Sequence, residues 1–188
     1  MKISGTIITL NAEKYILRAV ESLKLISNEV IVLDSESTDA TREIAESAGA
    51  KVYIQSFLGD GPQKKEASKY ASNDWVFSLD ADECLEQDLI DHVNGMNHLD
   101  DRYDSFAFRR KNYCGDEWIK AAGFYPDYVT RLYNRRKVNY DPRLDHAAVQ
   151  SKRTMKVNAH IMHNTYESME EWIDKMNYRS TLSAKQLF

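Results

Sequence analysis

The sequence holds no G-x-G-x-x-G after its first apolar segment and no G-x-x-x-x-G-K-[S/T] anywhere. Those glycines let backbone N–H groups approach phosphate closely, so a Rossmann dinucleotide enzyme and a P-loop NTPase are both disfavoured. Cysteine is scarce. Cys84 and Cys114 match no metal spacing and build no disulfide framework, so reduced thiols in a cytosolic protein are expected. No apolar run approaches the ~20 residues that cross a bilayer, and the chain opens on a strand pattern rather than a charged leader. Basic residues are not in excess either. With 25 Lys and Arg against 29 Asp and Glu the net charge is −4, and no nucleic-acid partner is expected. Repeats and low-complexity segments are absent. What remains is 188 residues, 43% hydrophobic and 29% charged, the composition of one globular domain with room for a substantial core.

The first half alternates strands with helices. Residues 3–10 (ISGTIITL) read as a buried strand, and Ile16, Ala19, Val20 and Leu23 recur at helical spacing. A second apolar strand ends at Asp34. Ser37, Thr38 and Asp39 supply N-cap chemistry for a helix carrying Ile44, Ala45 and Ala48, with Gly49 at its C′ position. A short strand at 51–54, a loop with Gly59, Gly61 and Pro62, a helix at 63–71 and a fourth strand at 75–79 follow. Such a series predicts an α/β fold with a mostly parallel central sheet and helices on both faces. Ligands in such sheets bind beyond the carboxyl ends of the strands, where Thr9, Asn11, Asp34, the loop before Lys64, and Asp80 with Asp82 would gather. Residues 105–159 read as short strands and aromatic loops, a smaller mixed region closing over the same edge. Met169, Trp172, Ile173 and Met176 mark an amphipathic helix whose stripe is core or interface, and its periodicity is unfinished at Phe188.

The stretch SNDWVFSLDADECLEQ carries the chemistry. An apolar strand delivers Asp80, Asp82 and Glu83 together, although like charges that close repel unless something positive sits among them. Read without context, this is a solvated strand end before a helix N-terminus, where acids are favoured. The sharper reading has Asp80 and Asp82, two apart, pointing at one site and holding Mg²⁺ or Mn²⁺ with substrate phosphate oxygens. Asp34 is either a strand-end acid or an acceptor for a base or ribose. Lys64 is either a solvated lysine or a point charge for phosphate. His163 is a core or loop histidine, or a phosphate or metal contact. Arg109-Arg110-Lys111 is a solvated edge, or a site for an anionic acceptor. Trp118, Phe124 and Tyr125 either stack on sugar rings or pack the second region.

TIITLNAEKYILRAVESL, EVIVLDSESTDATREIAE, GDGPQKKEASKYASNDWVFSLDADE and PDYVTRLYN, in that order, resemble a family 2 glycosyltransferase, nearest to bacterial lipopolysaccharide-core β-glucosyltransferases. The likeness covers nearly the whole chain. It implies a GT-A-like fold in which residues 1–100 bind the nucleotide sugar and 101–188, with the C-terminal helix, face the acceptor. It also implies a UDP-sugar donor, a divalent cation (Mg²⁺ or Mn²⁺), and inversion at the anomeric carbon. Thr9, Asn11 and Glu13 resemble the loop that holds the nucleoside. Asp34 resembles the acid that contacts uracil, Lys64 the basic residue of the QK segment, and Asp80-Ala81-Asp82 the DxD. Asp127, after Gly123 and four before Arg131, resembles the proton acceptor, with Asp145 in reserve. Lys65 stands where relatives often have Asn. Ala147, in Leu144-Asp145-His146-Ala147, stands where a Glu is usual, which leaves the role of that segment open.

The expected reaction moves a hexose from a UDP-sugar to a glycan or lipid-linked saccharide in cell-surface polysaccharide or lipopolysaccharide-core synthesis. The expected setting is cytoplasmic, with peripheral contact at the inner face of the membrane through a further C-terminal part. Two alternatives stay open: a nucleotidyltransferase, which would need a Gly-rich loop that ITLNAEKY lacks, and a sugar-nucleotide-binding scaffold that has lost its base.

Overall fold

The structure is a computed structural model that describes residues 2–96, 102–144, 147–174, 176–177 and 180. Four parallel strands open the fold: β1 (Ile3–Thr9), β2 (Glu29–Asp34), β3 (Lys51–Ile54) and β4 (Trp75–Asp80). The helices between them are α1 (Ile16–Lys24), α2 (Thr41–Ser47) and α3 (Asp60–Lys69). Ile16, Ala19, Val20 and Leu23 of α1 are fully buried, as their spacing requires. The helix expected at 63–71 starts three residues earlier, at Asp60. Gly61 permits this start, because a Cβ there would lie 2.0 Å from the Asp141 carbonyl oxygen.

Beyond β4 come β5 (Glu83–Leu85), α4 (Gln87–Asn94), β6 (Ser105–Cys114), β7 (Glu117–Trp118), β8 (Asp127–Asn134) and β9 (Thr154–Tyr166). The expectation of only short strands here is corrected: β6 has 10 residues and β9 has 13. They pair in parallel, while β8 joins β4 and β6 antiparallel. One sheet therefore runs β3-β2-β1-β4-β8-β6-β9-β5, with β7 beside β6. The boundary expected at residue 100 falls outside the described residues.

That order forces curvature. β5 lies four strands from β4, a span of ~19 Å in a flat sheet. Only Ala81 and Asp82 join them, and three Cα–Cα steps reach at most ~11 Å. The sheet must therefore curl back until β5 approaches β4. Its concave side is apolar at depth, where Phe77, Leu79, Phe106, Phe108, Leu132 and Ile161 pack with α1 and α4 in one core. Along β6 the inward positions then change from Phe106 and Phe108 to Arg110 and Asn112, both lining a cavity at the mouth. β8 adds a bulge. Leu132 faces Phe106 and Thr130 faces Ala107, so Arg131 is the extra residue.

At the opposite, amino edge, Glu29 accepts from the Ser4 hydroxyl (2.7 Å), the Ser72 N–H (2.7 Å) and Lys51 (2.8 Å). Burial alone would raise its pKa, but these partners outweigh it and hold it at about 2. A depressed carboxyl stabilises the fold above its unfolded pKa and loses that contribution as pH falls through the folded one. Stability should therefore drop between pH ~4.5 and ~2, less steeply in Glu29→Gln. Identical acid-unfolding slopes in the two proteins would show that Glu29 contributes nothing.

Candidate active site

At the carboxyl edge the loops after β1 and β2 are laced together. Asn11 adopts φ 49°, donates its N–H to Ser37 Oγ (2.8 Å) and accepts from Thr38 N–H (2.8 Å). Ala12 N–H reaches Thr41 Oγ1 (2.7 Å), and Glu13 accepts from Ala40 N–H (3.0 Å) at the start of α2. Asn11 and Glu13 thus have loop-binding work of their own. Asp34 is fully buried, accepts from the Ser37 N–H (2.8 Å) and hydroxyl, and lies 3.8 Å from Arg42 Nε. Thr9 Oγ1, opposite Asp34 in register, and Arg42 Nε are both buried with no hydrogen-bond partner among the described residues. Both atoms border Asp34.

A cavity of about 800 Å³ opens at the mouth of the curled sheet, beside these loops. Its wall brings together Lys64, Asp80, Asp82 and Asp127 of the expected residues, and adds Arg110, Asn112, Arg131 and His163. Thr9, Asn11, Glu13 and Asp34 stand at the neighbouring strand ends, outside the lining. Asp145 and His146 lie outside the described residues. Ala147 presents its methyl to the cavity and donates its N–H to Asp60 Oδ2 (2.8 Å).

The question posed by three acids in four residues is answered by their partners. Asp80 turns inward: Oδ1 holds Lys64 Nζ at 2.9 Å and Oδ2 holds Arg131 Nη2 at 2.6 Å. Glu83, fully buried, holds Arg131 at 2.5 Å and Arg110 at 3.3 Å, and Arg110 continues to Asp127 at 2.8 Å. Lys64, Asp80, Arg131, Glu83, Arg110 and Asp127 form one chain of alternating sign. Burial works against charge on Lys64 and Arg131, yet their acids outweigh it and raise both pKa values. Burial would likewise raise Asp80, but Arg131 and Lys64 push it far below the usual carboxylate range.

Asp82 points the other way. It is the one acid of the described cavity wall with no Lys or Arg partner, and its Oδ2 lies 3.4 Å from His163 Nε2. His163 Nδ1 sits 2.7 Å from Asn112 Oδ1, an acceptor, so Nδ1 is the donor of that bond and Nε2 is the ring nitrogen that faces Asp82. Asn112 also donates to the Phe124 carbonyl (3.1 Å) and towards Asp127 Oδ2 (3.4 Å). Sequence reasoning missed Asn112, left Arg110 between a solvated edge and an acceptor site, and named Glu83 with Asp80 and Asp82 without giving it a role. Alternation from Phe106 was the signal for the first two. Phe124 and Tyr166 both pack on Trp172 at the rim.

A second group of ligand-type side chains, Glu86, Asp88 and His160, lies outside this cavity with donor atoms within 4.8 Å of one another. Its members already engage neighbours: Lys111 meets Glu86 at 2.5 Å, and His160 bridges Asp88 (2.6 Å) and the Tyr125 hydroxyl (3.1 Å).

Comparison with known proteins places this geometry. The family model of Glycosyl transferase family 2 matches residues 4–161. A glycosyltransferase of Rickettsia typhi is 36% identical over 200 residues, covering 99% of this chain and 68% of its own length. The lipopolysaccharide core biosynthesis glycosyltransferase LpsC of Rhizobium meliloti is 30% identical over 203 residues, covering 99% and 72%. Among solved structures, TarS of S. aureus superposes with a TM-score of 0.64 at 21% identity over 87% of this chain, which spans only 37% of TarS. That likeness shows the fold, a GT-A-like mixed sheet. A shorter piece of TarS has been solved with UDP-GlcNAc.

Because Arg131 joins two acids deep in the wall, Arg131→Leu should cost about 3–5 kcal/mol in equilibrium unfolding, the usual penalty for stranding buried charge. Arg131→Lys should cost less. A Leu variant as stable as the parent would show that the paired charges contribute no stability.

Proposed function

This chain belongs to glycosyl transferase family 2, and from that premise we propose that it moves a hexose from a UDP-sugar to a glycan or lipid-linked saccharide with inversion. The observation that carries the reading is the placement of an unpaired Asp82–His163 couple and a carboxylate, Asp127, on the wall of one cavity. The pyrimidine and ribose would lie at the strand ends that carry Thr9 and Asp34, beside Arg42. The UDP-GlcNAc bound to TarS and the lipopolysaccharide-core role of LpsC support a nucleotide-sugar donor and a cell-surface acceptor. An acceptor of that kind would be met at the inner face of the membrane; among the described residues no helix is long and apolar enough to cross one.

Asp82 and His163 fit a divalent cation. A carboxylate without a Lys or Arg partner is ligand chemistry for Mg²⁺ or Mn²⁺, and His163 Nε2, 3.4 Å from the same oxygen, would join it as the neutral imidazole. Asp80 remains with Lys64 and Arg131. When bound, the metal would neutralise charge growing on the departing diphosphate. In the transfer itself the acceptor hydroxyl oxygen forms the new bond to the anomeric carbon as the bond to UDP breaks. The bonding pair leaves with UDP, and Asp127 takes the hydroxyl proton. Phe124, set edge-on to Trp172 at the rim, would offer a ring face to a saccharide.

UDP release from UDP-hexoses, with and without a lipopolysaccharide-core acceptor, tests the reading. Release should require Mn²⁺ or Mg²⁺ and vanish in chelator. Asp82→Ala and His163→Ala should each remove the metal effect on UDP affinity while melting near the parent. UDP bound as tightly in chelator as in Mn²⁺ would remove the metal from the proposal, and absence of release from every UDP-hexose would remove the donor.

A further inference from the structure

We propose that Arg110 is the positioning residue for this reaction: it fixes one oxygen of Asp127 and leaves the other bare. The inference rests on the reading of Asp127 as proton acceptor. Arg110 and Asp127 face each other across β6 and β8. Arg110 Nε lies 2.9 Å and Nη2 2.8 Å from Asp127 Oδ2, and the weaker approach of Asn112 Nδ2, at 3.4 Å, ends on the same atom. Oδ1 has no partner among the described residues, although the side chain lines the cavity and is 28% exposed. A general base needs this asymmetry. One oxygen must be held so that the carboxylate does not rotate, and the other must keep a lone pair open to the incoming hydroxyl.

Arg110 is in turn held from behind. Its Nη1 reaches Glu83 Oε1 at 3.3 Å, and Arg131 Nη2 holds that same oxygen at 2.5 Å. Glu83 Oε2 accepts the backbone N–H of Asp80 at 3.2 Å. Glu83 is thus tied to the acceptor end through Arg110, and to the donor end through Arg131 and the Asp80 backbone. Asp127 is therefore not an isolated acid on a strand end. It is the terminus of a braced chain that begins at Lys64.

The guanidinium shape matters. Nε and Nη2 converge on Asp127 while Nη1 turns to Glu83, and all three N–H vectors lie in one plane. A lysine ammonium can restore the charge but not the plane. If Arg110 served only to neutralise Glu83 and stitch β6 to β8, Arg110→Lys would act on stability and not through Asp127.

A double-mutant cycle separates these cases. UDP release from UDP-glucose is measured with Mn²⁺ and lipopolysaccharide-core oligosaccharide as acceptor, for the parent, Arg110→Lys, Asp127→Asn and the double variant, with UDP affinity and melting followed in each. Arg110→Lys keeps the charge opposite Glu83, so it should fold where Arg110→Gln fails. We expect kcat to fall about 10–100-fold in Arg110→Lys, as misplacement of a reacting group by ~1 Å does. UDP affinity should stay within about twofold, since the interaction removed acts only in the transition state. Asp127→Asn should lose about 10²–10⁴-fold. The double variant should be no slower than Asp127→Asn alone, because Arg110 acts through that carboxylate. Losses that multiply in the double variant, or parental turnover in Arg110→Lys beside a dead Asp127→Asn, overturn the inference and leave the transferase reading standing. Parental turnover in Asp127→Asn removes the base itself, and Arg110's role with it. No release by the parent protein from UDP-glucose or from any other UDP-hexose removes the proposed donor, and with it the premise on which Arg110's role rests.

Discussion

Arg131 is a charged side chain with 4% exposure, set in the wall between Asp80 and Glu83. A lone guanidinium at that depth would carry a desolvation cost of several kcal/mol, and so would either carboxylate. Together they are tolerated, and the arrangement depends on backbone geometry. Arg131 lies two residues before Tyr133, which packs with Val76, so alternation puts it on the face of the sheet that carries Asp80, and the two-residue link from β4 to β5 delivers Asp80 and Glu83 to it from the same chain segment. Without Arg131 the acids of β4 and β5 would face one another unscreened.

The curl of the sheet and the charge chain support one another. Closing β5 towards β4 brings β6, β8 and β9 round, so that Arg110, Asp127 and His163 arrive opposite Asp80 and Asp82. In a flat sheet those groups would be distributed over four strand spacings, too far apart for the pairs seen here. The apolar depth of the same concave face stabilises the curl. Phe77 and Phe108 lie 5.5 Å apart between ring centroids, and Leu132 and Ile161 are fully buried with them. Core and site are successive storeys of one structure, and β6 passes from the first to the second between Phe108 and Arg110.

The parallel half was legible because its signals are local. Continuous apolar strands, helical spacing in α1 and acids at strand ends each announce themselves within about ten residues. The second half was not, for a specific reason. In FAFRRKNY, Arg110 and Asn112 face inward while Arg109 and Lys111 bond to Tyr125, Tyr128 and Glu86 on the other side. Charge on both faces hides a period of two, so a ten-residue strand read as part of a region of short strands and aromatic loops. Arg131 was visible only as a spacing mark after Asp127, since the acids it joins stand on two other strands. Glu83 was quoted with Asp80 and Asp82, yet nothing in DADE tells which acid turns inward.

That last distinction decides the electrostatics of the cavity. Its wall carries three cations, Lys64, Arg110 and Arg131, and each is already matched to an acid. Four acids face them, Asp60, Asp80, Asp82 and Asp127, so the wall has no positive charge to spare. A diphosphate entering alone would meet a surface that repels it on balance, and displacing Lys64 or Arg131 to greet it would strand Asp80 or Glu83. The imbalance is concentrated at Asp82, the acid of the described wall that no Lys or Arg covers and that His163 Nε2 approaches at 3.4 Å. On the proposed reading, an anionic donor and a divalent cation would therefore be accommodated together at that point, and the rest of the charge chain would stay in register from Lys64 to Asp127.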